Sequence, residues 1–570
     1  MTAVSTVVES TSVLSTESGS IVKSAQAVER GTREANLSVS DLTVMANTLR
    51  HESSLLTQQL DRFNLATPAK GGALTTATVL PHKLTLDPAH CQFMALGFME
   101  RAVHETLVTF GEGAELVPGL ATRWDILDHG TLYRFHLRRG VYFHSGSPLT
   151  SKDVVGTFNR LMWPEINSAG KWTMLSVVGA DEVMSGKSRA ASGIVAADEY
   201  TVDIRLKEPL AFFIHLLSMA EAAIVPIEEV KDKETFAVRG AGTGPFAIED
   251  VVPGEMLTLR ASRSYFRRGL PYLDTLKFRL DLKSGKEVAA AFMRGELDMA
   301  HGLPLASVAE MRNDPRYAPY LIDTIQLHTS YMTYDCSHGP FSHVEIRQAV
   351  SHAINKDRIN RAVYSGLGVP AETLLPPGLL GYDPDLKGPN YDPEKARNLM
   401  RRAGYSSGFR LRYFRWDTDE FYNSGMVPMI IDDLAEIGIK VEVSEHPAEE
   451  ARKSRERRGH DQIICGNWYA DFPDSDNFFY IFFHSKSGSR LGSNFPEGRW
   501  DSTIEEARAT NDLDRRTELY KQLNQRAVED APFCYLFHDR FFIAHKPEVR
   551  GVRTHLVPPP ARYQSVWIEQ

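Results

Sequence analysis

Chemistry needs nucleophiles, bases and metal ligands at set spacings, and this sequence carries many such residues without assembling them. No G-x-S-x-G, H-E-x-x-H, P-loop or G-x-G-x-x-G falls in a fitting context. The 19 histidines and 73 acidic residues follow no catalytic spacing, so the chain reads as a non-enzyme with no catalytic residue, metal or cofactor. His136 and His144 look metal-like only in isolation, and strand-edge or surface positions suit them better. Cys91, Cys336, Cys465 and Cys534 lie far apart with no C-x-x-C pair, which leaves zinc and thioredoxin-type chemistry without support. Buried free thiols are the favoured reading, and the sequence leaves their pairing open. Arg123, Arg134, Arg138 and Arg139 offer guanidinium groups to a carboxylate, with structural pairing as the default for each.

The elements that must position any site belong to a large soluble chain. Its 570 residues predict two to four domains. The 42% hydrophobic and 24% charged content is that of an ordinary globular protein. A net charge of -9 and the lack of a basic stripe argue against general nucleic-acid binding. No run of about 18 apolar residues predicts a transmembrane helix. The opening MTAVSTVVESTSVLSTESGS has no basic n-region, apolar h-region or A-x-A site, so no standard export signal is visible.

Residues 21–65 repeat apolar positions every seven residues: Ile21, Val28, Ala35, Leu42, Leu49, Leu56 and Phe63. A second register holds Ala25, Val39, Ala46 and Leu60. This a/d-like seam predicts a helix that needs a coiled-coil partner. Its ending, SDLTVMANTLRHESSLLTQQLDRFNL, resembles the last helix of the cytoplasmic hairpin of methyl-accepting chemotaxis receptors. A generic coiled-coil extension over residues 1–66 is preferred, followed by a linker at 67–72.

Beyond Gly72 short strands alternate with helices. Residues 73–80, 133–137, 141–143 and 201–206 read as strands. Helices are expected at 151–163 with Ser151 as N-cap, at 210–220 as a buried helix, at 344–366, and at 393–404 with Pro393 near the start and Gly404 past the end. The class is α/β with mixed sheets.

Several stretches then match one family in order. They are LTLDPA (84–89), LVPGLATRW (116–124), FHLRRGVYFHSGSPLTSKDV (135–154), GTGPF (242–246), MRGELDMA (293–300), PFSHVEIRQAVSHAINKDRI (340–359) and WYADFPDSDNF (468–478). Residues 71–570 thus resemble the family 5 solute-binding proteins, the dipeptide/oligopeptide-binding components of ABC importers. The resemblance implies a two-lobed clamp like the type II periplasmic binding proteins, with crossover strands and an extra subdomain. It places the main lobe at 71–107, 235–325 and 526–570, the subdomain at 108–234 and the second lobe at 326–525. It further implies a periplasmic protein that closes on a peptide or related small solute and delivers it to a membrane permease. A solute sensor coupled to signalling through the N-terminal helix is the alternative.

By the same resemblance, Asp471 would pair with the ligand's amino terminus and Trp468 would line the cleft; a turn or cap role for Asp471 competes. Asp335 replaces an Asn before the G-P-F turn and either adds negative charge to the cleft or caps that turn, the latter favoured. Tyr334 and Tyr469 suit stacking on a ligand backbone or a core. Arg415, beside Trp416, could fork onto a ligand carboxylate. Asp87 lies in a loop that the family places near the cleft. Phe472 and Ser475 stand where the family carries Tyr and Pro, which leaves the local loop shape open.

Overall fold

The computed structural model describes residues 71–569, apart from 81–83, 92–93, 112, 231–235, 237–239, 456–458, 488–490, 492 and 496–497. The heptad segment at 21–65 and residues 67–70 of the linker lie outside the described residues. Residues 70–570 form one compact unit. Among the described residues, no helix is long and apolar enough to cross a membrane.

Two sheets carry the clamp, and two strands run from one to the other. On one side, Arg540–His545 pairs with Met299–His301 and Leu321–Ile325. On the other, His328–Tyr334 lies between Phe533–His538 and Ile463–Tyr469, with Val369–Pro370 at the edge. Leu321–Ile325 passes into His328–Tyr334 through Gln326 and Leu327, and Phe533–His538 passes into Arg540–His545 through Asp539. The two crossings lie side by side, with the Gln326 N–H donating to the Asp539 carbonyl at 2.8 Å. All seven residues of His328–Tyr334 are buried, as a central strand covered on both faces must be. Phe533–His538 hydrogen-bonds to His328–Tyr334 and Arg540–His545 to Leu321–Ile325, so the chain passes from one sheet to the other at Asp539.

The chain's first described strand, Ala73–Ala77, runs parallel to Thr275–Arg279, which continues antiparallel to Met256–Ala261 and Phe246–Val252. A separate four-stranded sheet, Ala121–Leu127, Leu132–Leu137, Thr201–Arg205 and Ile194–Asp198, builds the subdomain core with Tyr133, Phe135, Phe158 and Phe213.

Local expectations met several outcomes. Strands form at Leu132–Leu137 and Thr201–Arg205, and the helix Pro393–Arg402 starts at Asp392 and is followed by Gly404 at φ 84°. Gly140 and Gly146 adopt φ of 73° and 92°, as turns in the signature stretch require. The helix Ser151–Met162 is capped by Thr150, not Ser151; the Asp153 carboxylate accepts from the Thr150 N–H at 2.9 Å. Residues 141–143 make only the isolated bridge Tyr142–Pro148. The 210–220 segment is buried but keeps one α turn, Phe213–Leu216. The 344–366 helix is two helices, Val344–Ala353 and Lys356–Val363, because Asn355 caps the second by accepting from the Arg358 N–H.

Candidate functional site

The strand Ile463–Tyr469 ends beside the crossings, and the loop after it carries the acidic stretch. Asn477, the second residue of the helix Asp476–Phe483, organises this corner. Its side-chain oxygen accepts from the Trp468 indole N–H at 2.8 Å and from the Asp471 N–H at 3.1 Å. Its amide nitrogen donates to Asp471 Oδ2 at 3.1 Å. One buried amide therefore fixes both the Trp and the Asp expected to meet ligand.

Asp471 itself is solvent-exposed, and among the described residues no basic side chain pairs with it. Burial of its surroundings raises its carboxyl above the ordinary range, opposed by the Asn477 hydrogen bond. Glu221, in the 3-10 turn Ala220–Ala222, lies within electrostatic reach. Burial pushes Glu221 up to about 7; Arg101 opposes that rise and Asp471 adds to it. Asp471, Glu221 and Arg101 are thus the charged groups coupled to one another at this corner.

Tyr469 couples this corner to the crossing. Its hydroxyl donates to Asp539 Oδ2 at 3.2 Å, and its ring centroid lies 4.2 Å from that of His328. Burial raises the Asp539 carboxyl to about 6 and lowers His328 to about 3, so the ring stays neutral.

The remaining sequence candidates are held elsewhere. Asp87 is buried and accepts a two-pronged bond from Arg160, with the Nη1 contact at 2.9 Å, while also capping a 3-10 turn through the Ala89 N–H. Its carboxylate is therefore a structural partner rather than a cleft group. Asp335 is 1% exposed. It accepts from the backbone of Ser337 and Gly459 and from Asn494 Nδ2, at 2.8, 2.6 and 2.8 Å. Burial alone would raise its carboxyl, but these donors outweigh burial and hold it below the ordinary range. Asp335 caps its turn. Tyr334 is core: its hydroxyl donates to the Ala531 carbonyl at 2.8 Å and its ring stacks on Phe341. Arg415 pairs with Glu445 at 2.9 Å and lies over Tyr422. Trp416 lines a separate, mostly apolar cavity of about 230 Å³ with Tyr413, Phe414, Ile463 and Cys465. The structure brings Asp471 and Trp468 together through Asn477, while Tyr469 meets His328 and Asp539.

The loop after Asp471 keeps its shape by other means than a Tyr hydroxyl. Phe472 is buried and stacks on Phe212 at 4.9 Å. Asp474 is buried against Arg516, with Nη1 and Nη2 donating at 2.6 and 2.7 Å. Arg508 donates to both oxygens of Asp476. The sequence reading missed Asn477 and Glu221. Asn477 stood inside the quoted WYADFPDSDNF stretch, whereas no local signal marked Glu221.

The other sequence assignments meet plain outcomes. His136 bonds Asp125 at 2.8 Å and His144 bonds the Gly244 carbonyl at 2.9 Å. Arg134 pairs with Asp203. All four cysteines are buried free thiols. Among the described residues, no group of three or more His, Cys, Asp or Glu is placed to hold a metal ion.

A sequence model of the bacterial extracellular solute-binding proteins, family 5, matches residues 115–490. The dipeptide-binding protein of Escherichia coli (strain K12) is 31% identical over 492 residues, covering 82% of this chain and 89% of that protein. The heme-binding protein A of Haemophilus influenzae is 28% identical over 470 residues, covering 79% and 84%. Among solved structures, the ABC transporter-associated periplasmic binding protein DppA from Helicobacter pylori, in complex with the peptide STSA, matches with a TM-score of 0.69 at 26% identity. That match covers 88% of this chain and 99% of the other.

Proposed function

The chain belongs to the family 5 bacterial extracellular solute-binding proteins, and on that premise we propose that it captures short peptides for an ABC importer. The clamp closes on the peptide by bending at 326–327 and at Asp539, and presents the closed form to a membrane permease outside the inner membrane. The lobes are 71–107 with 235–325 and 540–570, and 326–538, with the subdomain at 108–234. Asp471 receives the peptide's α-ammonium, Trp468 walls the site, and Tyr469 reports closure to the crossing. The protein performs no chemistry on its cargo.

The observation that carries this reading is Asp471: an exposed carboxylate, held in place by Asn477, without a basic partner among the described residues. Glu221 on the facing turn adds to the preference for an ammonium. Relatives described as dipeptide- and di/tripeptide-binding proteins support a short-peptide cargo. The sensor alternative gains nothing from these relatives, and its helix lies outside the described residues.

Native mass spectrometry of the purified full chain, before and after mild denaturation, tests the cargo. Co-purifying peptides of two to four residues are expected, absent from Asp471→Asn. An empty protein whose melting is unmoved by a peptide panel, but shifted by heme or an opine, would overturn the peptide assignment.

A further inference from the structure

A second charged site lies inside the first lobe, with the opposite sign. Arg101, from the helix Met94–Val103, meets Arg267 and Arg562 around one cavity of about 30 Å³. Glu105 is the one acidic side chain in its lining. Glu105 accepts from the Tyr265 hydroxyl at 2.6 Å, so part of its charge is already engaged. His104 also lines the cavity, and burial lowers it to about 4, so it adds no charge. Three cations therefore face one anion.

Their donors are not used up. Arg562 Nη1 donates to the Phe110 carbonyl at 2.6 Å, and Arg267 Nη2 to the Pro118 carbonyl at 2.9 Å. Arg101 donates to the Ser218 carbonyl and to Thr106 Oγ1. Arg101 Nε, Arg267 Nε, and both Nε and Nη2 of Arg562 are buried without an acceptor in the protein. Behind Arg101 stand two further carboxyls, Glu100 at 4.0 Å from its Nε and Glu221 within electrostatic reach; burial raises them to about 8 and about 7, so they offset the guanidinium charge only in part. Burial, and then the charge of Arg101, lowers Arg562 to about 10. Water would satisfy such donors but would leave the surplus charge, and an uncompensated buried charge is costly.

We propose that this cavity binds a small monovalent anion of chloride size, held by the guanidinium groups of Arg101, Arg267 and Arg562. The size follows from the volume: about 10–15 Å³ holds one water, so the cavity takes one or two particles of that size and no amino acid. The ion would lock together segments 98–109, 265–267 and 561–564, far apart in sequence, and so stiffen the first lobe. Asp471 and Trp468 are not among its lining, although Arg101 also acts on Glu221 beside the peptide corner.

The test uses thermal melts of the full chain in sodium chloride and in sodium gluconate at constant ionic strength. Gluconate is too large to enter. A saturable chloride-specific rise in Tm of about 1–2 °C is expected, lost in Arg562→Gln and in Arg267→Gln. Crystals soaked in bromide should show an anomalous peak in the cavity, a readout on the unaltered protein that stands even if either variant does not fold. Identical melts in the two salts with no bromide peak would overturn the proposal. A chloride effect that persists in both variants would overturn it too, since the ion would then lie elsewhere. Neither readout involves peptide, so failure here is separate from failure of the peptide assignment.

Discussion

Asp471 and Asp474 stand three residues apart in one loop and meet opposite fates. Asp474 is buried, with both oxygens taken by Arg516. Burial alone would raise its carboxyl, but Arg516 outweighs burial and holds it below the ordinary range. Asp471 is exposed, has no basic partner among the described residues, and burial of its surroundings raises its carboxyl instead. Residue type and position in the chain do not separate the two; burial and the compensating cation do. A carboxylate supplied with its own guanidinium holds the fold. One that the fold leaves uncompensated is open to a cation from outside, the role proposed for Asp471.

The sharpest way to break this comparison is to remove the internal partner. Arg516→Met should cost about 3–5 kcal/mol of stability, because Asp474 stays buried and unpaired. Denaturant melts measure this, and Arg516→Met with Asp474→Asn should recover most of it. Peptide affinity of the folded fraction should change only a few-fold.

Asp471→Asn should do the reverse. Affinity should fall by about 2–4 kcal/mol, roughly 30- to 1,000-fold by calorimetry. Stability should hold or rise at neutral pH. The sign follows from linkage: a carboxyl raised in the folded state contributes stability below its unfolded pKa and loses it as pH rises through the folded value. Asp474, lowered, contributes above the unfolded pKa and loses that contribution as pH falls through its folded value.

Asn477→Ala leaves both aspartates in place but frees Trp468 and Asp471. Affinity should drop about tenfold, with a stability loss of about 1–2 kcal/mol. The Trp468 contribution to fluorescence should change as well. The smallest effect is that of pH. Below the raised pKa of Asp471, peptide affinity should fall by up to about tenfold per pH unit. The slope should be reduced in Asp471→Asn to the part that Glu221 contributes near pH 7, and calorimetry in buffers of different ionisation enthalpy should detect proton release on binding to the unaltered protein.

How much of this was legible in the sequence depends on the range of the interaction. WYAD identified the Asp471 corner because its residues are neighbours in the chain. The clamp followed from seven ordered stretches, and the ends of the Pro393–Arg402 helix from local chemistry at Pro393 and Gly404, while the cap of the 151–162 helix fell on Thr150 instead of Ser151. Long-range pairing was invisible. Asp87 looked available until Arg160, 73 residues away, closed on it. Asp335 read as a turn cap from its neighbours, but its distant donors Gly459 and Asn494 left no mark in the sequence. Arg516 lies 42 residues from Asp474, and Glu221 lies 250 residues from the Asp471 it acts on. The 344–366 segment shows the same limit in helix form: its amphipathic pattern continues, yet Asn355 restarts it.

The central claim is that Asp471 receives the α-ammonium of a bound peptide. A binding cycle tests it most directly, with a free-amine peptide and its N-acetyl form measured against the unaltered protein and Asp471→Asn. The account predicts that acetylation costs the unaltered protein at least about 2 kcal/mol and costs Asp471→Asn almost nothing. Equal losses in both proteins would contradict it, and would place the ammonium elsewhere in the clamp.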